Sequence, residues 1–291
     1  MQFTRRSVQT AAAIAVLGSF MASPVWAQDK PKIALVMKSL ANEFFRTMED
    51  GAKAHQKANA AQYTLVANGI KDETDTAAQI KMVEQMVAQK INALVIAPAD
   101  SKALVPVIKA AIDKGILVVN IDNRLDADAL KEKGIQVPFV GPDNRAGAKL
   151  VGDALAKELK SGDKVGIIEG VSTTFNAQQR TLGYQDAMKA GGMTVVGVQS
   201  GQWEIDKGNT VAAVKAAGKT GKVLVVGYDN IGAIKPMLKD GRVLATADQF
   251  AARQAVFGIE TALKAIADKK KQSEMPAEVK TDVILVTKSS K

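Results

Sequence analysis

From Lys32 onward, short β-branched and apolar runs alternate with amphipathic stretches long enough for a helix, and this alternation constrains the fold more than any other feature. The runs are Ile33 to Met37, Tyr63 to Ala67, Ala93 to Ala97, Ile116 to Ile121, Val137 to Val140, Val165 to Ile168, Thr194 to Val198, Val223 to Val226, Val243 to Thr246 and Val283 to Val286. Strands joined through helices pair in parallel, because a parallel pair needs a crossover connection rather than a tight turn. Ala93 to Ala97 and Ile116 to Ile121 are apolar throughout, which requires helices on both faces of their sheet. The chain is therefore expected to be α/β, and ten strands predict two sheets. Thr76 to Lys90 carries the helical period, with Ala77, Ile80, Val83 and Val87 on one face. Thr76 with Gln79 three residues on predicts a capping box at its start.

The first strand run ends in a polar loop at Lys38 and Ser39, and a helix opens near Asn42 with Phe44 and Phe45 in its first turn. Small molecules bind beyond the carboxyl ends of strands in open parallel sheets, so this junction is the first candidate site. Two adjacent aromatics on a chain with 4% aromatic residues suggest a ring with polar edges as the ligand.

Arg5 and Arg6 precede an apolar segment, Ala11 to Met21, and Val25-Trp26-Ala27 ends it in a small-x-small pattern. The first 27 residues are expected to be a cleaved export signal, since about 11 apolar residues fall short of the roughly 20 that span a bilayer. Removing Arg5 and Arg6 from 39 basic residues leaves 37 against 30 acidic ones. The lysines are scattered, and Lys269-Lys270-Lys271 reads as a solvated helix end, which argues against nucleic acid as a partner. The chain has no cysteine, which suits an exported protein whose core needs no disulfide.

Asp122 follows a strand run in VVNIDNR, and Asp229 follows another in VVGYDN. A carboxylate there either caps the next turn or accepts from vicinal hydroxyls, and the equivalent placement of two favours a site. Asn176 and Arg180 stand four apart, on one helical face. Arg180 offers a fork of donors to hydroxyls or carboxylates, or pairs on the surface with Glu169 or Asp186. Trp203, in the polar stretch GQWEID, is either a lid over a small core or a stacking platform. Gln249 follows a strand run, where its amide bridges a site or bonds the backbone.

His55 is the sole histidine and lies on the helix face of Phe45, Met48 and Ala52, so it is expected to be structural. With no second His and no Cys, neither a transition-metal site nor a Ser-His-Asp arrangement is expected. No glycine-rich phosphate loop follows a strand run, so no nucleotide cofactor is expected. These exclusions favour binding without chemistry over an enzyme.

KIALVMKSLANEFF, the IAPAD of Ile96 to Asp100, VVNIDN, the N-x-x-x-R-x-x-G of Asn176 to Gly183, VVGYDN and the ATADQ of Ala245 to Gln249 together resemble periplasmic sugar-binding proteins of the ribose-binding-protein type. These are type I periplasmic binding proteins, the substrate-binding components of ABC transporters. The resemblance implies two Rossmann-like lobes joined by a three-segment hinge that close on one sugar. It places the first lobe at residues 28–141 plus 250–279 and the second at 142–249 plus 280–291. By motif position it assigns ligand contacts to Lys38, Asn42, Phe44, Phe45, Asp122 and Asn123 in the first lobe. In the second it assigns them to Arg180, Trp203, Asp229 and Gln249, with Phe45 and Trp203 sandwiching the ring.

Lys38 stands where the ribose-binding pattern has Ser, Asn123 where it has Arg, and Trp203 where it has Phe. Exchanged hydrogen-bonding groups in a buried site change specificity, since an unpaired one costs about 1–3 kcal/mol. A related pentose, hexose or sugar alcohol therefore stands beside ribose as the expected ligand. Between Gly208 and Ala217, where the family carries a helix, a strand and an Asn-Asp loop, KGNTVAAVKAAGK runs straight through. The second lobe is thus expected to lack one helix–strand unit and one ligand contact, leaving a hole beside Asp229. The expected function is capture of a monosaccharide or polyol for an inner-membrane ABC permease. The alternative is a sensor presenting its closed form to a chemoreceptor or sensor kinase. The chain is expected to work in the periplasm as a monomer with no cofactor, metal or nucleic acid.

Overall fold

The computed structural model describes residues 30–290, so the export-signal reading of the first 27 residues lies outside the described residues. The chain runs β1 (Lys32–Met37), α1 (Glu43–Ala58), β2 (Thr64–Gly69), α2 (Thr76–Ala88), β3 (Ala93–Ile96), α3 (Val105–Asp113), β4 (Leu117–Ile121), α4 (Ala127–Glu132) and β5 (Phe139–Gly141). It continues through α5 (Asn144–Ala156), β6 (Lys164–Glu169), α6 (Phe175–Gly191), β7 (Thr194–Ser200), α7 (Ile205–Gly208) and α8 (Thr210–Ala216). Then follow β8 (Val226–Tyr228), α9 (Lys235–Lys239), β9 (Ala245–Asp248), α10 (Ala251–Ala267), β10 (Glu278–Lys280) and β11 (Ile284–Thr287).

The first lobe is built on a six-stranded sheet of order β10-β5-β4-β3-β1-β2, parallel throughout. Alternate residues of its central strands serve opposite faces. Ile33, Leu35 and Met37 pack with Phe45 and Met48 of α1 and Ala255 and Ile259 of α10. Ala34 and Val36 pack with Val83 and Met86 of α2 and Ile108 of α3. Helix α10 is seated through Gly258, where a Cβ would lie 2.7 Å from Val95 Cγ1 and 2.8 Å from Ile121 Cγ2. Gly258→Val is accordingly expected to cost about 1–3 kcal/mol of stability. The measurement is a lower urea midpoint with an unchanged slope; an unmoved midpoint would mean the helix has room to shift.

The N-cap of α2 is Asp75, whose side chain accepts from Ala78 N at 2.9 Å, so the capping box expected at Thr76 is not formed. Gln79, the residue assigned to that box, is buried instead. Its Nε2 donates to Met37 O and Ala97 O, and its Oε1 accepts from Ala99 N, tying the ends of β1 and β3. His55 is structural as expected, with Nδ1 2.8 Å from Tyr63 Oη.

The chain crosses to the second lobe after β5, returns after β9, and crosses again after β10. The expectation of two sheets fails there. Strands β6 and β7 form one parallel pair, while β8, β9 and β11 form a separate sheet in which β11 runs antiparallel. Helices α5 and α6 pack on each other and hold the two pieces, α5 against β8, β9 and β11 and α6 against β6 and β7. Among the described residues, neither β6 nor β8 has a strand on its other edge. The β8 strand starts at Val226 rather than Val223, because Val223 N donates to Lys219 O in the turn after α8 and the ladder with β9 opens only with the bond from Leu244 N to Val225 O. Ile168, Val196, Val223 and Leu224 are 49%, 59%, 45% and 38% exposed, and α8 buries no residue. The shortened second lobe is therefore a sheet broken into two pieces, with apolar side chains exposed on β6, on β7 and just before β8. No helix among the described residues is long and apolar enough to cross a membrane.

Candidate functional site

The carboxyl ends of the strands from both lobes converge on a cavity of about 20 Å³. From the first lobe it is lined by Lys38 after β1, by Asn42, Phe44 and Phe45 at the start of α1, by Glu73 after β2 and by Asp122 after β4. From the second lobe come Asn176 and Arg180 on the first turns of α6, Trp203 after β7, Asp229 after β8 and Gln249 after β9.

Local chemistry explains these positions. Asn42 caps α1, its Oδ1 accepting from Phe44 N at 3.0 Å, which holds Phe44 and Phe45 at the helix mouth. Their rings meet edge to face at 5.2 Å. Asp122, Trp203 and Asp229 have φ of 61°, 63° and 82°, a left-handed backbone that is costly for side chains other than glycine. Such strain clusters at functional sites, where the surrounding fold enforces it.

The charges that line the cavity are paired within each lobe. Lys38 Nζ lies 3.4 Å from Asp122 Oδ2, with both side chains 2% exposed. The same ammonium is 5.6 Å from the ring centroids of both Phe45 and Trp203, so a cation lies against the two aromatic faces. Arg180 Nε donates to Asn144 Oδ1 at 2.7 Å, and its Nη1 lies 3.6 Å from Asp229 Oδ1. Burial opposes the Arg180 charge, but Asp229, Tyr228, Asp122 and Tyr184 together outweigh it and hold the guanidinium above its ordinary pKa. Burial pushes the Asp229 carboxyl up, with Arg180 and the amide of Gln249, which donates to it at 2.6 Å, working against that rise. Asp186 pairs with Arg145 and Glu169 accepts from Thr181, so Arg180 makes neither of the surface pairs considered for it.

Nine of the ten expected site residues line the cavity, and Asn123 does not. Its Nδ2 donates to Pro98 O at 2.9 Å, and its Oδ1 accepts from Asn176 N at 3.2 Å. The amide is consumed in tying the lobes together. Glu73 and Asn176 are the additions; Asn176 shares a helical face with Arg180, whereas Glu73 sits in the polar run KDETD with nothing to mark it.

Several cavity-lining atoms are buried without a hydrogen-bond partner among the described residues: the acceptor Glu73 Oε2, the donors Arg180 Nη2 and Trp203 Nε1, and Asp122 Oδ2, which has the Lys38 ammonium beside it as a counter-charge only. Acceptors and donors between two aromatic faces suit a hydroxyl-bearing ring, since each hydroxyl both donates and accepts. Among the described residues no group of three or more His, Cys, Asp or Glu side chains is arranged to hold a metal.

A family model described as the periplasmic binding protein domain matches residues 33–213, and the match stops inside α8. The D-ribose/D-allose-binding protein of Pseudomonas aeruginosa is 64% identical over 89% of this chain and 89% of its own length. That alignment runs over 285 positions, and 89% of this chain falls about two dozen residues short of that length, so about two dozen positions of the relative have no counterpart here. Among solved structures, an ABC transporter solute-binding protein from Burkholderia multivorans is 67% identical, with a TM-score of 0.88 over 89% of this chain and 100% of that one. It holds an unidentified ligand represented as alpha-D-erythrofuranose. A periplasmic solute-binding protein of an ABC transporter from Actinobacillus succinogenes, with bound D-allose, is 32% identical with a TM-score of 0.82, over 89% and 98% of the two chains. With the fold, the interlobe cavity and these likenesses in agreement, the chain belongs to the periplasmic binding protein family, among the sugar-binding solute receptors of ABC transporters.

Proposed function

We propose that this chain is a periplasmic receptor that captures D-ribose, D-allose or a closely related monosaccharide and delivers it to an inner-membrane ABC permease. The observation that carries the reading is the one cavity in which Lys38, Asp122, Arg180 and Asp229 meet between Phe45 and Trp203. The relatives named for ribose and allose support it. Lys38, Asn42, Phe44, Phe45, Asp122, Arg180, Trp203, Asp229 and Gln249 serve as ligand contacts. Phe45 and Trp203 stack on the ring, which moves the Lys38 ammonium to its edge. The lobes divide at residues 28–141 plus 250–279 and 142–249 plus 280–291, and the first 27 residues direct export and are removed. The protein works as a monomer and performs no chemistry on its ligand. A ligand touching both lobes gains contacts only when they meet, which shifts the population toward the closed form that a permease reads.

A thermal-shift screen of pentoses, hexoses and polyols tests the reading. A ligand present at 100 times its dissociation constant adds about 2.7 kcal/mol of stability. Melting is expected to rise with D-ribose or D-allose and to stay fixed with disaccharides and amino acids. No rise with any monosaccharide or polyol would sink it.

A further inference from the structure

Glu73 is the one cavity-lining carboxylate that the family motifs do not mark. It is 2% exposed, in the loop after the edge strand β2. Its Oε1 accepts from Asn42 Nδ2 at 3.2 Å, while Oε2 is buried without a hydrogen-bond partner among the described residues. A buried acceptor left unpaired is costly, so such an atom at a binding surface marks where a donor is meant to arrive. The charged groups facing it are Lys38 and Asp122 from the first lobe and Glu204 from the second.

We propose that Glu73 is a specificity-determining residue whose free Oε2 accepts the hydrogen of an exocyclic hydroxyl, selecting hexoses that carry a hydroxymethyl arm over pentoses that lack one. This rests on the sugar-receptor reading and adds which sugars the site prefers. The sheet order places β4, β3, β1 and β2 side by side, so the ends of β4 and β2 are three strand spacings apart, about 14 Å. Asp122 follows β4, Lys38 follows β1 and Glu73 follows β2. Strand order puts Glu73 on the β2 side of the cavity, with Lys38 between it and Asp122, so the part of the ligand that Glu73 meets is the part that lies away from Asp122. Asn42 sets the carboxyl group by holding one oxygen, so the other points along a single direction. Burial raises the Glu73 pKa to about 7, against the pull of Lys38 and Asn42. A hydroxyl is accepted best by the ionised carboxylate, so hexose binding strengthens as pH rises through 7 and weakens as it falls.

The test is calorimetric titration of D-allose and D-ribose from pH 5.5 to 8.5 into the wild-type chain, Glu73→Gln and Glu73→Ala, with exposed Asp72→Asn as a control for the loop. A hydrogen bond to a charged group corresponds to about ten- to a hundredfold in affinity. The wild type is expected to favour allose, and Glu73→Ala to lose at least about tenfold of that preference. Glu73→Gln is expected to flatten the allose pH profile while Asp72→Asn keeps it. Equal losses for both sugars, or a profile unchanged in Glu73→Gln, would overturn the proposal. Failure of the wild type to bind any monosaccharide would instead overturn the receptor reading itself.

Discussion

Arg180→Met is expected to abolish sugar binding and to destabilise the protein together. Arg180 joins three parts of the structure: Asn144 at the crossing into α5, Asp229 at the end of β8, and the cavity, into which Nη2 is left without a partner in the protein. Each hydrogen bond from a charged donor contributes about 1.5–3 kcal/mol, so losing the guanidinium lowers affinity by about a hundredfold or more. Removing it also leaves Asp229 buried without its counter-charge, which costs about 3–5 kcal/mol. Arg180→Lys keeps the charge without the planar fork and is expected to restore stability more than binding. The double variant Arg180→Met with Asp229→Asn removes the uncompensated charge, so its urea midpoint is expected to recover while affinity stays lost. Calorimetry and urea titration on these three variants separate the two effects; Arg180→Met binding within tenfold of wild type would refute the assignment.

Much of this site was legible because strand ends are legible. The apolar runs before Lys38, Asp122 and Asp229 are core-filling strands, and in a parallel sheet the residue after such a run faces the crevice. Asn42 was legible for a second reason, since its capping side chain is also what aims Phe44 and Phe45. Glu73 was hidden because its loop carries only charge, and the bond to Asn42 that buries it joins residues 31 positions apart. Asn123 was misread because motif position says where a residue stands and not which groups have already taken its hydrogen bonds. Strand β10 escaped because Glu278–Lys280 has no apolar pattern; it is recruited by pairing with β5 at the edge of the sheet. The expected extent of β8 was wrong for the converse reason. Val223 to Val226 has a strand's composition, yet Val223 is held in the turn after α8 by its bond to Lys219 O, and composition without ladder pairing does not make a strand.

The unpaired edge of β8 sets the second large effect. Restoring between α8 and β8 the segment carried by the P. aeruginosa relative is expected to raise both stability and sugar affinity. About two dozen aligned positions of the relative have no counterpart here, enough for one strand and one helix. The strand has a place, because β6 and β8 each offer an unpaired edge and both are held by the α5–α6 layer. The helix has apolar side chains to cover as well, because Ile168, Val196, Val223 and Leu224 are exposed. Full burial of one such side chain contributes about 1.5–3 kcal/mol, so covering four that are already half buried contributes roughly 3–5 kcal/mol. For a chain of this size that corresponds to a rise in melting temperature on the order of 10 °C. Affinity rises because β8 carries Tyr228 at its end and Asp229 just after it, and a strand paired on both sides holds that carboxylate, and through it Arg180, in one place. Unpaired strand edges also template association between chains, so the restored protein is expected to aggregate less on heating. A Gly/Ser insert of equal length is the control and is expected to give neither gain. If the relative's segment raises neither melting temperature nor affinity above that control, the break between β6 and β8 is not what limits the second lobe.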